Sequence, residues 1–216
     1  MTMATMRLPR VAGLALAVGM IACLPRVAAA QSDAPVDTDA KVRTSIETMI
    51  KAIEDGNDPM RNRMFFELRI AGAASVPPLI ELMKDSRTKV REYAIHTVSY
   101  IDDLRWIDPV LDVLQNDPEA STRAMACRAI ARTQDTPVLA EAGRKAVPIL
   151  IERLPKEEEV VAMDACHALG WFGDPSARPV LEQAAKSPSE LVSFFAKEAL
   201  EDLAHAEKMR AKGGAQ

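Results

Sequence analysis

Val161-Ala-Met-Asp-Ala165-Cys-His-Ala-Leu169 has three gapless counterparts in this chain. They are Val90-Arg-Glu-Tyr-Ala94-Ile-His-Thr-Val98, Thr122-Arg-Ala-Met-Ala126-Cys-Arg-Ala-Ile130 and Val192-Ser-Phe-Phe-Ala196-Lys-Glu-Ala-Leu200. A weaker copy starts at Met60, with Met64 where the others have Ala. Successive starts lie 30, 32, 39 and 31 residues apart. Apolar or small residues fill the first, fifth, ninth and twelfth places, which is one face of an α-helix. Asp58-Pro59, Asp85-Ser86, Asp117-Pro118 and Ser187-Pro188 supply helix-start signals just before four of the copies.

Between copies runs a second apolar segment: Val76–Met83, Ile107–Leu114, Val147–Leu154 and Ala177–Ala184. Each carries a proline in its first turn, where a missing N–H costs little. The unit is helix, turn, helix in about 31 residues, taken to begin at the Ala-bearing helix. One pair cannot bury its apolar face alone, so pairs stack over a shared core. The small residues Ala94, Ala126, Ala165 and Ala196 permit close helix approach. The expected fold is therefore all-α: a solenoid of about five antiparallel helix pairs over residues 38–207. Residues 38–55 form its N-terminal cap, 31–37 a linker and 208–216 a frayed tail. The longest spacing places about seven extra residues around Gln134–Lys145, read as a surface loop.

The pattern resembles HEAT repeats, in particular the short bacterial type, whose Val-Arg-x-x-Ala-x-x-Ala-Leu helix adjoins a Val-Pro-x-Leu helix. Val90-Arg91 with Ala94, and Ala165 with Ala168-Leu169-Gly170, carry the likeness, which spans roughly residues 59–206. It implies an interaction scaffold rather than an enzyme. Two further implications follow from it. Turn aspartates Asp103, Asp135 and Asp174 would bond the arginines Arg91 and Arg123 of neighbouring repeats in a ladder, which Ala162 and Ser193 interrupt. The Pro-bearing helices would line the concave face, setting Glu81, Asp112, Glu152 and Glu182 in one acidic row there. That row suits a basic or extended protein or peptide; the alternative is an ordinary solvated face. Trp171 is a second candidate for partner binding, the alternative being packing over the next repeat.

The ends and the composition set further limits. Arg7 and Arg10, the apolar run Val11–Leu24, and Ala28-Ala29-Ala30 read as a secretory leader over residues 1–30, cleaved after Ala30. Export to the periplasm or the exterior is expected. Met20-Ile21-Ala22-Cys23 offers another outcome, a lipid anchor on Cys23 and a structural role in the envelope. The leader carries three arginines and no acid, so the net charge of −4 becomes −7 without it. A chain so acidic is a poor partner for nucleic acid. Cys127 and Cys166 hold equivalent places in adjacent repeats, too far apart for a disulfide, and are expected as separate buried thiols. His96 and His167 share another repeat position with Arg128 between them, and no metal motif is present. No nucleophile elbow or phosphate loop is found, and no cofactor is expected. The enzymatic alternative is a chromophore-handling subunit of the bilin-lyase type, a resemblance of repeat type alone.

Overall fold

The computed structural model describes residues 37–213, all helix and connecting turn. The leader, Cys23, residues 31–36 of the linker and residues 214–216 lie outside the described residues. The helices are α1 (Thr38–Glu54), α2 (Asp58–Ala71), α3 (Val76–Leu82), α4 (Thr88–Val98), α5 (Ile107–Asn116) and α6 (Ala120–Ala131). There follow α7 (Pro137–Gly143), α8 (Ala146–Arg153), α9 (Glu159–Phe172), α10 (Arg178–Ala184) and α11 (Glu190–Gly213). Local chemistry sets their ends. Asp37 caps α1 by accepting the Asp39 and Ala40 N–H groups, and Asn57 caps α2 by accepting that of Met60. Gly173 ends α9 in the left-handed region at φ 58°, which a residue without Cβ enters freely.

Five helix pairs stack over one continuous core running from Val42 to Ala199. Their phase differs from the expected one. α3 packs on α4, α5 on α6, α8 on α9 and α10 on α11, so each Pro-bearing helix opens its pair and the Ala-bearing helix closes it. Both phases share the same one-dimensional period, and only tertiary packing separates them. The helices form two rows. In one row α4 abuts α6, α6 abuts α9 and α9 abuts α11, whereas the Pro-bearing helices barely touch one another. Ala94, Ala126, Ala165 and Ala196 are buried in the abutting row. Gly170 brings α9 closer still, since a Cβ there would stand 2.9 Å from Ala199 Cα. A stack that closes up on one side and opens on the other curves toward the closed side. The Ala-bearing row is thus the inner face.

Two smaller expectations also change. The extra residues of the third spacing form a helix, α7, instead of a loop. Leu139 anchors it in the core, and Gly143 lies flush against Thr133 with no room for a side chain. At the C-terminus, α11 continues through residues 208–213. Arg210 donates to the Gly173 carbonyl, and Arg178 pairs with Glu207 at 2.7 Å, so both tie the distal part of α11 back to the array.

Candidate binding face

The arginine ladder exists, but through other acids than the expected ones. Arg91 grips Asp117 with two hydrogen bonds, Nε to Oδ2 at 2.7 Å and Nη2 to Oδ1 at 3.0 Å. Its Nη1 donates to the Asp85 carbonyl at 3.0 Å. Arg123 repeats the pattern one step on, holding Glu157 at 2.9–3.0 Å and the Asp117 carbonyl at 2.9 Å. Each rung therefore runs from an inner helix to the turn that enters the next one. The series stops at α9, where Ala162 stands in place of arginine. Asp103 and Asp174 serve their own turns instead. Asp103 accepts the Arg105 N–H and guanidinium, and Asp174 accepts the Ser176 N–H and hydroxyl. Short aspartates satisfied two residues away have no reach left for another repeat. Those bonds, from Arg105 and Ser176 respectively, hold both carboxyls below the usual range. The side chain of Asp135 lies outside the described ones.

The acidic row occupies the outer helices, not the inner face. Glu81, Asp112, Glu152 and Glu182 are all exposed, on α3, α5, α8 and α10. Glu81 pairs with Lys84 at 3.3 Å, Asp112 accepts from Asn116 at 2.7 Å, and Glu152 pairs with Lys156 at 3.0 Å. These are contacts within a helix turn, on a solvated surface. The expectation of a carboxylate-lined groove fails because the Ala seam, which fixes the inner row, belongs to the other helices.

The inner face instead carries aromatic rings and guanidinium groups. Positions six and ten places after each repeat start lie one helical turn apart. On α4 and the turn after it they are His96 and Tyr100, on α6 and the turn after it Arg128 and Arg132, and on α9 His167 and Trp171. Together these six line one cavity of about 360 Å³. The Arg132 guanidinium sits 3.7 Å over the Tyr100 ring, and Arg128 Nε donates to Asp164 at 2.8 Å. His167 meets Trp171 edge-on at 5.1 Å, and Trp171 remains 48% exposed. A second cavity of about 560 Å³ shares His96 and Arg128 and continues toward Arg61 on α2. There Arg61 lies 4.4 Å over Tyr93, and Phe65 packs against both His96 and Tyr100 at 5.1 Å. Burial, then the charges of Arg132, Arg61 and Arg128, hold His96 below the usual histidine range, so it is neutral at pH 7. Its Nδ1 is enclosed without a hydrogen-bond partner.

The two histidines thus face one space, as their shared repeat position allows, and the cation between them is Arg128. The residues that sequence reasoning missed here are Arg132, Tyr100 and the pairing by helical turn. The signal was the recurrence of ring or cation at two fixed places in three successive repeats. Cys127 and Cys166 are free and buried. Burial pushes both thiols up, that of Cys166 to about 12, so neither is an available nucleophile. Among the described residues no three His, Cys, Asp or Glu side chains gather into a metal-sized group. No helix among them is long and apolar enough to cross a membrane.

Residues 107–201 match the family model of HEAT repeats, starting at the Pro-bearing helix α5, in the phase the packing gives. No curated protein matches the chain. The solved complex of CpcE and CpcF of phycocyanin lyase from Nostoc sp. PCC7120 is similar, with a TM-score of 0.62 at 21% identity. It covers 73% of this chain and 99% of that one. A designed armadillo repeat protein matches with a TM-score of 0.49 at 21% identity, over 79% of this chain and 96% of that one. At such identity the likeness is one of fold. The HEAT-like, all-α solenoid read from the sequence therefore stands.

Proposed function

We propose that this chain is an exported, non-enzymatic repeat scaffold that holds a protein or peptide segment along its inner face. The observation that carries the reading is the run of two adjoining cavities across α2, α4, α6 and α9, lined by rings and guanidinium groups. Such surfaces, rich in Arg, Tyr and Trp, are where binding energy concentrates in protein interfaces. In the acidic outer row Glu81, Asp112 and Glu152 already have partners three or four residues along the chain. Export rests on the leader-like residues 1–30. The non-enzymatic reading is supported by the enclosure of both thiols.

Photo-crosslinking in producing cells tests it. A benzoylphenylalanine at Ser121, exposed on α6 at the edge of the second cavity, is expected to give partner adducts. The same residue at Glu152, exposed on α8, is expected to give few. Adducts from Glu152 with none from Ser121 would move the partner to the outer row and end the inner-face reading.

A further inference from the structure

We propose that the groove between the α8–α9 pair and the α10–α11 pair is a socket for an arginine side chain of a partner polypeptide. It shares no residue with the two inner-face cavities and is a separate site. The repeat itself shows what such a groove takes. At the first junction Arg91 lines a groove of about 410 Å³ together with Asp85, Ser86 and Asp117. Its guanidinium donates to the carbonyls of Asp85 and Ser86, six and five residues back, and to the Asp117 carboxylate. Arg123 does the same at the second junction, with the carbonyls of Asp117 and Pro118 and the carboxylate of Glu157. At the third junction Ala162 stands in the arginine's place and Ser187 in the acid's. Both members of the pair are replaced, and the groove beside them measures about 490 Å³. Ala162 has no group to reach the carbonyls of Lys156 and Glu157, six and five residues back. The chain builds one receptacle three times and fills it with its own arginine twice.

The lining suits that guest. Leu154, Val180 and Val192 give apolar walls for a methylene stem. Glu159 supplies the carboxylate that Ser187 does not. Its Oε2 accepts from the Ser189 hydroxyl at 2.6 Å, which orients the group and leaves Oε1 for an incoming N–H. Glu157 lines the groove too, but Arg123 and Arg153 already take its two oxygens. At the rim the exposed acids Glu159 and Glu190 outnumber the exposed cation Lys186, so a cation is favoured there. A planar guanidinium can bond carbonyls and a carboxylate at once, which a lysine ammonium matches less well. Gln183, Lys186 and Pro188 in the lining are exposed, so the groove opens to solvent and to a side chain from another molecule.

Amide-resolved NMR titration of isotope-labelled protein decides the matter. The probes are the blocked amino acids N-acetyl-arginine amide, N-acetyl-lysine amide and N-acetyl-citrulline amide. The arginine probe is expected to give saturable shifts at the amides of Ala162, Ser187 and Ser189. It should bind about tenfold tighter than the citrulline probe, which has nearly the same shape and no charge, with lysine between them. Glu159→Gln should weaken the arginine probe about threefold or more, and Lys186→Gln should tighten it. Both side chains are exposed, so these variants should keep the wild-type melting curve. Ala162→Arg combined with Ser187→Asp supplies the rung from within. That variant should lose the arginine-dependent shifts and unfold at higher urea. Absence of saturable shifts at these three amides overturns the socket. Equal affinity for the arginine and citrulline probes overturns the cationic guest, as does undiminished binding by Glu159→Gln. A double variant that folds and still binds places the guest elsewhere and ends the proposal. The inner-face reading stands or falls separately, on the adducts from Ser121.

Discussion

Glu157 shows how much a single residue carries in this array. Its side chain is 1% exposed and takes hydrogen bonds from Arg123 and Arg153, the latter at 2.5 Å. Arg153 also donates to the Gln115 carbonyl, so one carboxylate ties α6, α8 and the end of α5 together. Removing one member of a buried pair leaves its partner desolvated and uncompensated, which costs about 3 kcal/mol. Glu157→Ala is expected to lower stability by that order, and Glu157→Gln by less, because an acceptor oxygen remains. Glu81→Ala is the contrast. Glu81 and Lys84 are both about 70% exposed, and the loss should stay within about 0.5 kcal/mol. Urea unfolding measures all three. Similar midpoints for Glu157→Ala and Glu81→Ala would show that the ladder adds no stability. Nothing in the sequence singled out Glu157. It lies in an acidic run, Lys156-Glu-Glu-Glu159, whose members look alike until the fold buries one of them.

Among the helices, legibility followed from how local each feature is. The existence of α4, α6, α9 and α11, and their shared apolar face, could be read from Val90, Ala94, Val98 and their counterparts. Spacing along one helix is a local property. The phase of the pairs and the side facing inward could not be read that way, since both depend on which neighbour a helix chooses. A clue was present in the Ala seam, because the row with the smallest contact residues is the row that closes up. Had it been applied, it would have moved the candidate site from Glu81 and Glu182 to His96, Arg128 and His167. Gly170 tests the seam itself. In a helix interior Gly→Ala normally gains about 0.8–1 kcal/mol. Here the new Cβ would stand 2.9 Å from the Ala199 Cα and 3.0 Å from its Cβ, and overpacking of that kind costs about 1–3 kcal/mol. Gly170→Ala is therefore expected to lower the melting temperature, against its helix propensity. A higher melting temperature would mean that α9 and α11 are not in close contact there.

A stacked array has no centre, only neighbours and ends, so its behaviour as a molecule depends on how the ends are finished. At the C-terminus the finish is α11. Val192, Ala196, Ala199 and Leu203 are buried on one side, while Glu198, Glu201, Asp202 and Lys208 face solvent. Its distal turns are held by Arg210 on the Gly173 carbonyl. Two truncations separate the finish from the surplus. Ending the chain after Arg210 keeps every one of these contacts and should leave the melting curve and the sedimentation unchanged. Ending it after Gly173 uncovers the flank of α9 at Gly170, which α11 now closes. It also removes α10 and the start of α11, which supply most of the lining of the groove beside Leu154 and Ala162. An exposed apolar flank on a repeat is a surface for further stacking, and with no partner repeat in the chain it will stack on another molecule. The shorter chain should therefore self-associate in sedimentation velocity and unfold at lower urea. If it sedimented like the full chain and unfolded cooperatively, α9 would itself be an adequate end, and the pair of α10 and α11 would be free for another task.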